Sequence, residues 1–374
     1  MPRAPIADDV RGRLAAVIDP EIRRPITELG MVGAVTVAGG SVRVELRLTI
    51  VGCPAADRLE REVRAAAASV EGVRDVEVAL AVMTPEERRA LTERLRAGRP
   101  RESRFGPDSL TRVYAVASGK GGVGKSTITA NLAVALAARG LAVGLVDADV
   151  FGFSIPGLLG LGDAVPTRVD ELILPPVAHG VRVISIGMFV SGPTAVSWRG
   201  PMLHRTVQQF LTDVWFGDLD VLLIDMPPGT GDVAITVGQL LPQAQVLVVT
   251  TPQAAAAEVA ERAGLLARRT GQRIAGVVEN MTGLPQGDGT VIELFGSGGG
   301  DAVAARLSGA GQPPVEVLAR VPLSLALREG GDTGTPVVAT HPDDPAARAV
   351  TALAERIAVR PRGLAGRPLG VSPV

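Results

Sequence analysis

Only two lysines stand among 38 basic residues, and both fall in one glycine-rich stretch. Residues 117–126 read Ala-Ser-Gly-Lys-Gly-Gly-Val-Gly-Lys-Ser, and Gly119, Gly124, Lys125 and Ser126 meet the phosphate-loop pattern G-x-x-x-x-G-K-[ST]. Gly119, Gly121, Gly122 and Gly124, with Val123 between them, let the backbone turn its N–H groups inward as an anion nest. A helix opening at Thr127 would aim its positive end at the same point. Lys125 then meets the outer phosphates of a nucleotide and Ser126 a magnesium ion. A compact ammonium on a flexible stem suits a contact among phosphates that the planar fork of arginine does not replace. In a chain that takes arginine nearly everywhere else, the placement of lysine here is a chemical choice.

Carboxylates sit where such a loop needs them. A strand over 142–146 ends in Asp147-Ala148-Asp149, and the apolar run 220–224 ends in Asp225, followed by Met226-Pro227-Pro228-Gly229. In open α/β sheets, chemistry collects outside the carboxyl ends of the strands. Asp225 is therefore expected to hold the magnesium hydration shell, with Asp147 a further metal candidate and Gly229 offering a free amide near the terminal phosphate. The base-selecting segment Glu279-Asn280-Met281-Thr282 lacks the lysine and aspartate of the guanine signature Asn-Lys-x-Asp. Asn280 is thus assigned to the base, and ATP is favoured over GTP. The glycines of 296–300 have no lysine after them and read as a loop before a helix.

The elements that must position these groups follow from periodicity. From 112 to 278 apolar strands alternate with helices, among them strands over 245–250 and 273–278 and helices over 127–139 and 254–269. That alternation predicts an α/β fold, a doubly wound, mostly parallel sheet occupying 111–358. Helices near 324–329 and 345–358 complete it. Residues 1–97 read as a small α+β domain, with helices over 7–18 and 54–70 and strands over 32–37, 42–50 and 73–82. Val42, Val44, Leu46 and Leu48 share one face of the second strand. The aperiodic, Pro- and Arg-containing segment 98–110 is a linker, and 359–374 a flexible tail.

Cys53 is the single cysteine, so no intrachain disulfide forms; its use is compatible with a reducing cytoplasm. It precedes Pro54, a residue favoured at the first helical position, which would set the sulfur at a helix N-terminus and favour thiolate. The alternative is a small buried apolar residue, a common fate of free cysteine. A formal net charge of -1 offers no argument for nucleic acid or an anionic membrane. No apolar run is long enough to span a bilayer. The expectation is a cytoplasmic protein with no nucleic-acid or membrane partner.

Lys120, directly after Gly119, makes the loop resemble the deviant form Lys-Gly-Gly-x-Gly-Lys-Ser of the MinD, ParA and nitrogenase iron protein class. That resemblance implies a homodimer in which Lys120 reaches the partner's nucleotide and Asp149 positions or activates the attacking water. The likeness extends to Ser154-Ile155-Pro156, Trp198-Arg199-Gly200-Pro201-Met202, Pro227-Pro228-Gly229-Thr230-Gly231-Asp232, Thr250-Thr251-Pro252-Gln253, Glu279-Asn280-Met281 and Phe295 to Gly300. The front of the chain, with Asp19-Pro20-Glu21, Leu29-Gly30-Met31-Val32 and Gly52-Cys53-Pro54, resembles the small iron–sulfur maturation domain. The whole chain is similar to the Mrp/ApbC family of ATP-binding iron–sulfur cluster carriers. This implies a slow magnesium-dependent ATPase serving acceptor or scaffold proteins, with Cys53 a candidate iron–sulfur ligand. One departure matters: the family's Cys-x-x-Cys pair is missing, since 282–294 holds no cysteine, and His179, His204 and His341 lack ligand spacing. The alternative is a nucleotide-switched scaffold of the MinD or ParA kind that holds no cluster of its own.

Overall fold

The computed structural model describes residues 6–96, 104–189, 200–309 and 311–359. The tail from 360 onward, part of the expected linker, and Trp198-Arg199 lie outside the described residues. The chain gathers into two compact units.

The larger unit is built on a sheet whose eight strands lie in the order Val317–Val321, Arg273–Asn280, Gln245–Thr250, Arg112–Ser118, Val221–Asp225, Val143–Asp147, Val181–Ser185, Val177–Ala178. The six pairings from Val317–Val321 through Val181–Ser185 are parallel. Val221–Asp225, Val143–Asp147 and Val181–Ser185 are buried along their whole length, as a parallel sheet covered on both faces requires. Each strand closes on a polar residue, and Asp225, Asp147 and Ser185 stand in register at one level on the carboxyl edge. The helix Lys125–Ala138 is buried over nearly its full circumference and packs on Pro345–Val359. Gly140, at φ +80°, stops it.

The smaller unit holds a three-stranded sheet of Val32–Ala38, Ser41–Leu48 and Asp75–Val82. The first pair is antiparallel and the second parallel, joined across the helix Ala56–Ala68. Val42, Val44, Leu46 and Leu48 point into its core, as their alternation requires. Two segments from later in the chain belong to this unit, Pro166–Val177 and Asp213–Gly217. The first forms a hairpin of Thr167–Val169 and Leu172–Leu174, and Val169, Leu172, Leu174 and Trp215 join the unit's apolar cluster. Both segments lie outside residues 1–97, to which the sequence pattern confines this domain.

A helix that the sequence reading passed over, Pro85–Arg96, was legible in its cap. Thr84 Oγ1 accepts from Glu87 N at 3.2 Å, and the Glu87 carboxylate accepts from Thr84 N at 2.8 Å, with Pro85 between. That is a capping box with proline at the first turn.

Candidate functional site

The strand Arg112–Ser118 runs between Val221–Asp225 and Gln245–Thr250, and the phosphate loop leaves its carboxyl end. Two glycines there are obligatory. A Cβ on Gly119 would stand 2.2 Å from the Val259 carbonyl carbon and 2.3 Å from Ala260 N, so the loop lies directly on the backbone of the helix Ala254–Arg269. Gly124 has φ +79°, and a Cβ on it would meet Asn280 Nδ2 at 2.2 Å. That same Asn280 Nδ2 donates to Val123 O at 2.9 Å. Asn280, expected beside the base, thus also braces the loop that holds the phosphates.

At the loop's exit the first turn of Lys125–Ala138 delivers its side chains onto Asp225. Lys125 Nζ lies 2.6 Å from Asp225 Oδ2, and Ser126 Oγ donates to the same oxygen at 2.6 Å. Lys125 Nζ also reaches Ser126 Oγ at 3.1 Å, and Thr129 Oγ1 donates to Asp225 Oδ1 at 2.8 Å. Lys125 is 6% exposed and Asp225 wholly buried, so each charge depends on the other. A serine hydroxyl and a carboxylate converging on one point form the oxygen donor set that Mg²⁺ accepts when phosphates and water complete its shell. No group of three or more His, Cys, Asp or Glu forms a metal cage among the described residues. A metal shared with substrate oxygens needs none.

Asp147 pairs in register with Asp225 on the adjoining strand and is fully buried. Its Oδ2 accepts from Ser185 Oγ at 3.0 Å and Ile155 N at 3.3 Å, and its Oδ1 from Asp149 N at 3.2 Å. Burial pushes its carboxyl up to about 7, with the charge of Asp225 adding to the rise and the bonds from Ser185 and Asp149 N opposing it. Those bonds turn Asp147 toward Ser185 and the backbone of the following loop, and none joins it to Ser126. Asp149 shapes that loop, its Oδ1 accepting from Gly152 N at 3.0 Å.

Gly229 differs from expectation. Its N–H is not free but donates to Ser118 O at 2.8 Å, which ties the segment after Asp225 to the start of the phosphate loop. Lys120 Nζ donates to Gln253 Oε1 at 3.1 Å, while Ser118 Oγ donates to Lys120 O.

In the smaller unit Cys53 lies among core residues at 6% exposure, ahead of the helix Ala56–Ala68. The expected drop in thiol pKa is reversed. Burial pushes the Cys53 thiol up, bonds from the Ala55 and Ala56 amides oppose this, and the charges of Glu21 and Asp19 add to the rise. The amides at the helix start do act as anticipated, but desolvation outweighs them.

Residues 109–358 match the family model of the NUBPL iron-transfer P-loop NTPase, and residues 7–80 match that of the iron-sulfur cluster assembly protein. The chain is 56% identical over 368 residues to the iron-sulfur cluster carrier protein of Mycobacterium bovis, covering 97% of this chain and 96% of that one. The chain belongs to the NUBPL iron-transfer P-loop NTPase family. The iron-sulfur cluster carrier protein of Mycobacterium leprae is 54% identical over 99% of this chain and 97% of its own. Among solved structures, a nucleotide-binding protein of Archaeoglobus fulgidus in complex with ADP is 36% identical. It covers 60% of this chain and 86% of its own, with a TM-score of 0.52.

Within this NTPase unit the structure adds residues to which sequence reasoning gave no role. Thr129 stands four after Lys125, so both lie on one helix face, a spacing that could have exposed it. Ser185 closes a strand not singled out beforehand. Gln253 stood only as part of a motif. No helix among the described residues is long and apolar enough to cross a membrane.

Proposed function

We propose that this chain is a magnesium-dependent ATPase that works as an iron–sulfur cluster carrier or assembly factor in the cytoplasm, as a homodimer. The observation that carries the ATPase reading is the convergence of Lys125 and Ser126 on the buried Asp225 at 2.6 Å. In this reading Lys125 and the amides of 119–127 hold the phosphates, Ser126 and Asp225 place the metal, and Asn280 faces the base. Asp149 orients the attacking water and Lys120 acts on the partner's nucleotide, as an arginine finger does elsewhere. The cluster itself is cargo for acceptor or scaffold proteins, and near-full-length relatives named as cluster carriers support that part.

The residues present do not fit a cluster held in the usual way. A four-iron cluster takes four thiolates, and a dimer of this chain has two cysteines, both Cys53. Cys53 is buried with its thiol favoured over thiolate. This favours a carrier that holds no stable cluster of its own and handles its cargo only transiently, through Cys53, an external thiol or a partner's thiols, close to the alternative of a nucleotide-switched scaffold.

Anaerobic reconstitution with iron and sulfide, read by absorbance and iron count on the parent and on Cys53→Ser, tests the point. Transient iron binding that Cys53→Ser loses while keeping ATPase activity agrees with the proposal. A stable stoichiometric cluster in Cys53→Ser sinks it.

A further inference from the structure

Gln253 occupies the N-cap position of the helix Ala254–Arg269, with an extended backbone at φ -61° and ψ 129°. Its main-chain carbonyl accepts the helix amides of Ala256 and Ala257, at 2.9 and 3.1 Å. Its side chain makes no capping bond. The side-chain oxygen instead takes the ammonium of Lys120 at 3.1 Å.

That contact is set by rigid parts. Gly119 lies against the Val259 and Ala260 backbone of the same helix so closely that no Cβ fits between, and Ser118 Oγ holds the carbonyl of Lys120 at 3.1 Å. The lysine stem is therefore anchored at its root by the loop and at its tip by the helix cap. No carboxylate stands within 4.0 Å of Lys120 Nζ among the described residues, so the charge is held without being neutralised.

We propose that Gln253 is a positioning residue for Lys120. It holds the ammonium at the loop's rim by one hydrogen bond to a neutral amide, a partner that a phosphate on a second copy of this chain can displace. The choice of glutamine over glutamate is what makes the hold releasable. A carboxylate at this position would add the attraction of a full negative charge to the hydrogen bond and would keep the lysine on its own chain. This inference rests on the reading that Lys120 acts across a homodimer.

The test compares steady-state ATP hydrolysis of the full-length parent, Lys120→Ala, Gln253→Glu and Gln253→Leu across protein concentration and salt, with ATP binding to each variant as the control for folding. Gln253→Glu should bind ATP like the parent and turn over about tenfold more slowly at low salt, recovering at high salt because screening weakens a partly exposed ion pair. Gln253→Leu should lose a smaller, severalfold part of kcat, with no salt recovery. A purely structural role for Gln253 would not produce salt recovery in one variant and none in the other.

If Lys120→Ala hydrolyses ATP at the parent rate, the reading of Lys120 and the inference built on it both fall. If Lys120→Ala is inactive while both Gln253 variants match the parent at every salt concentration, the lysine reading survives and the role of Gln253 is overturned.

Discussion

Replacing Asp225 by alanine leaves the Lys125 ammonium 6% exposed with no opposite charge in contact, and the cost can be worked from the structure. At 2.6 Å the pair attracts by about 6 kcal/mol at an effective dielectric of about 20, and the desolvation of both ions offsets most of this. Removing one partner forfeits the attraction and keeps the other's desolvation, which typically costs about 3–5 kcal/mol. Lys125→Met leaves the complementary fault, a buried carboxylate held only by Ser126 and Thr129. The paired change Lys125→Met with Asp225→Asn removes both charges and should recover a large part of either loss. Hydrogen exchange of the amides in Arg112–Ser118 and Val221–Asp225 reads this unit separately from the rest of the chain. In nucleotide-free protein with chelator, Asp225→Ala should raise their exchange about a hundred- to several-thousandfold, each factor of ten being about 1.4 kcal/mol. Losses below about 1 kcal/mol, or a double variant whose loss is the sum of the singles, would show that the pair is not an interdependent buried unit.

Further outcomes follow from the same geometry. Asp147 binds its proton more tightly folded than unfolded, so its contribution to stability is whole below about 3.8 and is lost as pH rises to about 7. A rise of that size is worth about 4 kcal/mol as an upper figure, and urea midpoints of the metal-free protein should fall between pH 5 and about 7. Asp147→Asn should flatten that slope; an unchanged slope would remove Asp147 from the account. Gly124→Ala must place a Cβ 2.2 Å from Asn280 Nδ2 at a left-handed φ, and should abolish ATP binding in a nucleotide titration. Adding Asn280→Ala relieves the clash but not the strain, so full recovery in that double variant would mean the backbone demand is smaller than the φ of +79° implies. Cys53, with its thiol pushed up by burial, should react with iodoacetamide at neutral pH at least about tenfold more slowly than a free cysteine and at an ordinary rate after unfolding. Fast labelling of the native protein would restore the thiolate reading.

Most of the parallel strands and the carboxylates at their ends were legible because buried parallel strands write themselves as unbroken apolar runs closed by a polar residue. Val221–Asp225 is the clearest case. Val181–Ser185 was just as buried but went unmarked, since Arg182 interrupts its run, and that arginine is itself buried at 5% exposure. The phosphate loop was legible in its residues, yet the reason Gly119 must be glycine lies in a helix 140 residues further on, which no local pattern reports. The assignment of Cys53 turned on a balance of two physical terms. Its place before a helix could be read from Pro54, but the depth of burial depends on strands and helices distant in sequence, and burial decided the sign. The hairpin Thr167–Leu174 was hidden for the same reason: Val169, Leu172 and Leu174 are too few to mark a strand, and their core lies in the small unit rather than beside their own neighbours in the chain.

Three groups assigned to the nucleotide are each occupied by the protein itself. Lys125 is on Asp225, the Gly229 N–H is on Ser118 O, and Lys120 is on Gln253. A donor buried without a partner would cost about 1–3 kcal/mol, more if charged, a penalty that its bond to Asp225 spares the buried Lys125. If Lys125 holds the phosphates as proposed, binding ATP would be an exchange of partners, in which Lys125 leaves Asp225 for the phosphates and the carboxylate is free to hold a cation. The metal and the nucleotide would then be interdependent for an electrostatic reason. Without a cation to replace the lysine, moving it to the phosphates strands Asp225 beside Asp147 in a fully buried site, and without the phosphates the cation meets a carboxylate already satisfied by an ammonium 2.6 Å away. In the proposed site each ligand would remove the obstacle to the other, so nucleotide affinity should fall when the metal is chelated and metal affinity should fall without nucleotide.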